Sequence, residues 1–155
     1  VIGCSALQDR QKLPQMAFMR ALHIADHRSV TESFSVQKRG GAVQAFGDYW
    51  RLGANESTEL TIDKTVLING QTLIAGTYKV YAYPGKNDFE IAISTDINSW
   101  GAMESDPDLD LFRTTIPVQW MPEITEQHTL SFVENGVGLQ CEFEHARFMI
   151  PTGVK

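Results

Sequence analysis

At 155 residues and 43% hydrophobic content, the chain is long enough for one domain burying roughly 68–70% of its unfolded surface, and too apolar to be disordered. Its 13 basic and 19 acidic residues give a net charge of −6, which argues against the basic footprint that nucleic-acid phosphates require. No apolar run approaches the roughly 20 residues of a bilayer-spanning helix.

The chain opens on Val1-Ile2-Gly3-Cys4, followed by a polar stretch that contains Pro14. An aliphatic residue, a tolerant one, Gly and then Cys resembles a bacterial lipobox, in which the Cys is acylated and becomes the mature N-terminus. The start at Val rather than Met fits a signal peptide that has lost its beginning. Residues 1–15 therefore read as a signal remnant and tether, with Cys4 as the lipidation site. The competing reading is a four-residue coincidence in an ordinary N-terminal strand. Residues 16–155 read as a single domain.

Residues 17–27 are compatible with one short helix through Phe18, Leu22 and Ala25, or with a strand carrying Ala21, His23 and Ala25 outward; the strand is preferred. From about residue 29 the apolar period is two. Leu60 and Ile62 alternate with Glu59, Thr61 and Asp63, and Phe89, Ile91 and Ile93 alternate with Glu90, Ala92 and Ser94. Leu130 and Phe132 follow, then Leu139, Cys141 and Phe143 against Gln140, Glu142 and Glu144. One greasy face and one wet face is the signature of antiparallel strands packed on one side. After His145 the apolar register moves to Ala146, Phe148 and Ile150, as a β-bulge would produce.

Turn residues separate these runs. Asn69-Gly70 lies between Val66-Leu67-Ile68 and Thr72-Leu73-Ile74, the signal for a type I′ hairpin, and Asn135-Gly136 plays the same part between Phe132 and Leu139. Ala75-Gly76, Pro84-Gly85 and Gly40-Gly41 punctuate the remainder. Short strands at this spacing predict an all-β fold, an antiparallel β-sandwich or jelly-roll-like domain with at most one short helix.

Five strings then follow in order: Trp50-Arg51-Leu52-Gly53-Ala54-Asn55-Glu56, Leu67-Ile68-Asn69-Gly70-Gln71, Ala75-Gly76-Thr77-Tyr78, Tyr83-Pro84-Gly85 and Asn98-Ser99-Trp100-Gly101-Ala102. Together, from about residue 29 to 150, they resemble the bacterial family called domain of unknown function 2911, frequent among secreted proteins and lipoproteins. The resemblance implies a β-rich fold and an envelope address, and it brings no activity with it. Before Trp50 the chain departs from the family pattern: Val36-Gln37-Lys38-Arg39-Gly40-Gly41 stands without the Arg-Pro turn.

The candidate ligand-binding residues are Trp50, Arg51, Asn55, Glu56 and Trp100. Glu56 shares strand parity with Leu60 and Ile62, so it points inward and needs a partner, with Arg51 nearest in sequence. That pair reads as a buried clamp beside an anchoring Trp50, or as the polar floor of a small-ligand pocket. Trp50, Trp100 and Trp120 can stack on sugars, with Trp100 in a turn the exposed one; as core or rim packing they need no ligand.

No metal site is expected. His23 and His27 are spaced to share a metal on a helix, but on a strand they lie about 13 Å apart. His128 and His145 sit at inward parity. Glu104-Ser105-Asp106-Pro107-Asp108-Leu109-Asp110 alternates carboxylates but lacks the bend Gly and terminal Glu of a calcium loop, so it reads as a solvated lead into a strand over 109–118. Cys141 reads as a buried small hydrophobe, mid-strand and without a nearby base. No Gly-x-Ser-x-Gly elbow or phosphate loop occurs, so no catalytic residue and no cofactor is expected.

These residues predict a non-enzymatic binding or accessory protein of the bacterial cell envelope, periplasmic or outer-membrane-associated. Its expected partners are an envelope complex, which it would join as a lipoprotein subunit, or a small-molecule ligand. Nucleic acid is not among them, and a membrane is reached only through lipid on Cys4. The alternative is a hydrolase-type enzyme with a polar pocket around Arg51, Glu56 and one or two histidines.

Overall fold

The computed structural model describes residues 19–23, 46–53, 57–99, 103–133 and 138–154. Among the described residues nine strands run β1 (Met19–His23), β2 (Thr58–Ile62), β3 (Val66–Ile68), β4 (Gln71–Leu73), β5 (Gly76–Pro84), β6 (Asp88–Ser94), β7 (Asp110–Pro117), β8 (Gln119–Phe132) and β9 (Gly138–Val154). They form two antiparallel sheets, ordered β1-β2-β5-β6-β7 and β4-β3-β9-β8. The fold is all-β, and the helical content among the described residues is a 3-10 turn at Pro107–Leu109. β1 falls where residues 17–27 were expected to be strand.

Period-two alternation builds the core. Leu60, Ile62, Val80, Phe89, Ile91 and Ile93 from the first sheet meet Val66, Ile68, Leu139, Cys141, Phe143, Phe148 and Ile150 from the second. The register change near His145 occurs at Glu144, whose φ of 48° marks a bulge between inward Phe143 and inward Ala146.

Both glycine-bearing hairpins have a physical cause. Asn69 and Gly70 have φ of 44° and 81°, the two left-handed residues of a type I′ turn, and Ile68 pairs with Gln71 across it. The β8–β9 hairpin closes through Phe132 and Leu139, while Asn135 and Gly136 themselves lie outside the described residues. At the β5–β6 turn, Gly85 is required by space: a Cβ there would stand 2.4 Å from the Asp88 carbonyl oxygen.

One expectation fails. Ala92 and Ser94 should face water, yet both are 0% exposed, as are Lys79 and Tyr81 across from them on β5. The outer face of β5 and β6 is covered by other chain. Residues 46–50 continue the line of β2 along β5, with Trp50 and Ala82 exchanging two 2.8 Å backbone bonds and the Gly47 N–H donating to the Pro84 carbonyl at 2.8 Å. After β6, Asp96 and Ser99 reach back over the same face to Lys79, and Glu104 reaches Tyr83.

The two glycines should separate in a substitution test. Gly85→Ala forces backbone apart and is expected to cost about 1–3 kcal/mol, whereas Gly70→Ala meets open space and carries only the left-handed penalty of about 1 kcal/mol. Urea unfolding midpoints compare them, and a neutral Gly85→Ala would refute the close approach.

Candidate functional site

Alternation on β5 sends Tyr78, Val80 and Ala82 into the core and turns Lys79, Tyr81 and Tyr83 to the outer face. There Lys79 stands opposite Ser94, Tyr81 opposite Ala92, and Tyr83 opposite Glu90, with Arg113 of β7 beyond Ala92. Small residues on β6 leave room for the large ones on β5. Tyr49, the neighbour of Trp50, lays its ring 5.0 Å from that of Tyr81 and 6.2 Å from that of Tyr83.

Lys79 has no exposed side-chain surface, so its ammonium must be satisfied within the protein. Its Nζ donates to Ser99 Oγ at 2.6 Å, stands 3.9 Å from Asp96 Oδ2 and lies 5.8 Å from the Tyr49 ring centre. Asp96 in turn accepts from the Ser105 hydroxyl at 3.1 Å and the Asp106 N–H at 3.3 Å. Ser57 reaches the Ser99 carbonyl at 3.3 Å, tying the loop after Trp50 to the loop after β6. Burial pulls the Lys79 ammonium below its ordinary value, against the opposing charges of Asp96 and Asp110. For Asp96, burial pushes upward, but hydrogen bonds from Ser99, Asp106 and Ser105, with the Lys79 charge, hold it below the ordinary carboxylate value.

A second group adjoins the first. The Tyr81 hydroxyl donates to the Asp110 carboxylate, 2.6 and 2.7 Å from its two oxygens. Arg113 donates to Asp110 through Nε at 2.8 Å, to Glu90 at 3.1 Å and to the Tyr81 oxygen at 3.3 Å, and its guanidinium lies 5.1 Å from the Tyr83 ring centre. The Tyr83 hydroxyl donates to Glu104 at 3.2 Å. Burial pushes the Tyr81 phenol far up, reinforced by its bond to Asp110. Burial opposes the Arg113 charge, but Asp110 and Glu90 override it and raise the guanidinium further. Beside this group lies an open groove of about 520 Å³, lined by Phe46, Tyr83, Asp88, Glu90 and Arg113 among others.

Of the residues expected to bind ligand, Trp50 is an anchor of the core, 7% exposed, with its ring 5.3 Å from His128, 6.2 Å from Phe89 and 6.4 Å from Phe143. Arg51 follows it, half-buried, where the chain leaves β5. Asn55, Glu56 and Trp100 lie outside the described residues, as do Cys4 and His27. Leu52 is fully buried at φ 54°, held where the Thr58 hydroxyl donates to its carbonyl at 2.8 Å.

Cys141 is buried as expected, but the expectation that no base stands near it is corrected. His128 Nε2 lies 3.4 Å from its sulfur, because the two share the inner face of the β8–β9 pair. Burial drives the thiol well above its ordinary value, so the neighbour does not make it a nucleophile. His145 engages the Met121 carbonyl through Nδ1 at 2.7 Å. The acidic segment serves separate partners: Asp106 caps the 3-10 turn through the Asp108 N–H, Asp110 holds Tyr81 and Arg113, and Glu104 takes Tyr83. No three His, Cys, Asp or Glu side chains converge as a metal requires among the described residues. Sequence reasoning missed Lys79, Tyr81, Asp96 and Arg113; the small pair Ala92 and Ser94 across from Lys79 and Tyr81 was the available signal.

Fold and site together define a two-sheet antiparallel sandwich with a roofed polar face. A family model described as a protein of unknown function (DUF2911) matches residues 32–152, and the chain belongs to that family. No curated protein and no solved structure matches it.

The Lys79 cluster makes a contrast that stability measurements can resolve. Asp96→Ala leaves the ammonium without its carboxylate and is expected to cost about 3 kcal/mol, whereas Lys79→Met removes the charge and should fall within about 1 kcal/mol of the parent or above it. Because the folded Lys79 binds its proton less tightly than the unfolded one, its contribution to stability rises as pH climbs toward the ordinary 10.5. The difference in unfolding free energy between parent and Lys79→Met should therefore move in favour of the parent over that window. A flat difference would show that burial does not depress Lys79.

Proposed function

We propose that this domain is a non-enzymatic binding or accessory protein of the bacterial cell envelope, anchored through lipid on Cys4. One observation supports recognition over reaction: the charged and phenolic groups of the outer face are closed on one another beside an open groove. Arg113 is shared by Asp110, Glu90 and Tyr81, and Lys79 is enclosed by Ser99 and Asp96. Burial and these bonds drive Tyr81 and Arg113 up and hold Asp96 down, so each keeps one protonation state near neutrality. General acid–base catalysis needs the opposite, a group that titrates near the working pH. The envelope part of the proposal rests on the lipobox-like Val1-Ile2-Gly3-Cys4.

The hydrolase alternative has one contact in its favour, the 2.6 Å approach of Lys79 Nζ to Ser99 Oγ. A lysine serving as base must be neutral and take the serine's proton. Burial pulls Lys79 toward neutrality against the Asp96 carboxylate 3.9 Å away. The Ser99 hydroxyl, however, donates to the Asp96 carbonyl at 3.2 Å and not to Lys79. The roles of Arg51 and Glu56 in that alternative depend on Glu56, outside the described residues.

Two measurements test the proposal. In an exporting bacterial host the protein should partition into the detergent phase with an acyl mass on Cys4, and Cys4→Ser should move to the aqueous phase; an unmodified parent ends the anchor. A fluorophosphonate probe should leave Ser99 unlabelled, and labelling that disappears in Lys79→Met would establish the hydrolase instead.

A further inference from the structure

We infer that the groove between the β5–β6 turn and Arg113 is a binding site for a neutral carbohydrate. This rests on the proposed recognition role and names its ligand class. The groove, about 520 Å³, falls within the range of about 300–1,000 Å³ typical of small-molecule sites. It is broadly open to solvent, which leaves room for a sugar chain to extend beyond it.

Its walls supply both halves of carbohydrate recognition. Phe46 stands 38% exposed at the rim, its ring braced edge-on against Trp120 at 6.3 Å. Trp120 is itself fixed by its Nε1 donating to the Lys86 carbonyl at 2.8 Å. Tyr83 lines the same groove, half-buried, beneath the Arg113 guanidinium. The braced Phe46 ring offers apolar surface for the C–H face of a sugar at little cost in side-chain freedom, while the face of Tyr83 is taken by Arg113.

The polar half is already oriented. Arg113 uses three N–H groups on Asp110, Glu90 and Tyr81, and a guanidinium carries five, so two remain for ligand oxygens. Glu90 is 44% exposed on its side chain, and Asp88 is exposed beside it, so both have acceptor capacity for ligand hydroxyls.

Charge selects the class. An anion would meet Asp88 and Glu90 against a single Arg113. A cation could pair with the exposed Asp88, but at Glu90 it would stand against the Arg113 charge 3.1 Å away. A polyhydroxylated neutral ligand donates to the carboxylates and accepts from the guanidinium without breaking either pair.

The test uses the full chain, isotope-labelled, titrated separately with maltohexaose, cellohexaose, xylohexaose and chitohexaose and followed by amide resonances. At least one oligosaccharide should give saturable shifts at Phe46, Tyr83, Glu90 and Arg113. Phe46→Ala and Glu90→Gln should each weaken that binding about tenfold, with the dispersed spectrum of the parent retained. Silence of these resonances with all four sugars, or their response instead to sodium phosphate or calcium chloride, overturns the inference. If the sugars fail while Ser99 stays unreactive to fluorophosphonate, the ligand class falls and the recognition role stands.

Discussion

A lysine in the middle of a sheet, with no part of its side chain in contact with water, is the constraint around which the outer face is organised. Burying an ammonium costs several kcal/mol unless it is paired and hydrogen-bonded. Lys79 meets that demand with Ser99 and Asp96, both from the segment that follows β6. That segment must therefore lie on the sheet, and Asp96 must remain ionised there, which the Ser105 hydroxyl and the Asp106 N–H secure. The Ser57 bond to the Ser99 carbonyl draws the loop after Trp50 into the same assembly. The roof is a consequence of the charge beneath it.

Tyr49 and Trp50 show how the chain serves two layers at once. Adjacent residues of an extended segment point to opposite faces. Trp50 enters the core against Phe89 and Phe143, while Tyr49 turns the other way onto Tyr81 and Tyr83. The backbone bonds between Trp50 and Ala82 fix both placements together. A shift of one residue in that register would exchange a core tryptophan for a phenol and expose the tyrosine platform.

Most of the fold was legible because it depends on local rules. Leu60, Ile62, Phe89, Ile91 and Ile93 alternate as a half-buried strand does, and Asn69-Gly70 carries the left-handed pair that a two-residue hairpin needs. The site was not legible from the same rules. Thr77-Tyr78-Lys79-Val80-Tyr81-Ala82-Tyr83 presents Lys and Tyr at every second position, which by periodicity is a wet face. Distant chain, the residues around 49 together with 95–99 and 103–106, converts it into a buried one. Ala92 and Ser94 hinted at this, since a solvent-facing strand has no need of small residues where its neighbour carries large ones. The His128 contact to Cys141 was hidden for a related reason: both residues read correctly as inward, but parity along single strands says nothing of diagonal neighbours across a pair.

The net charge of −6 takes on a local meaning at the groove. Arg113 and Lys79, two cations of the outer face, are both committed to carboxylates within the fold. A ligand approaching Arg113 therefore meets a guanidinium whose position is set by Asp110 and whose field is largely cancelled by Asp110 and Glu90. Long-range steering of an ion is weak in such a place, and short-range geometry decides what is held. With Asp88 beside Glu90 the groove carries a small net negative charge, and its directional donors and acceptors beside the braced Phe46 ring discriminate among neutral ligands by the arrangement of hydroxyls. That is the physical difference between a surface that recognises a shape and one that captures an ion.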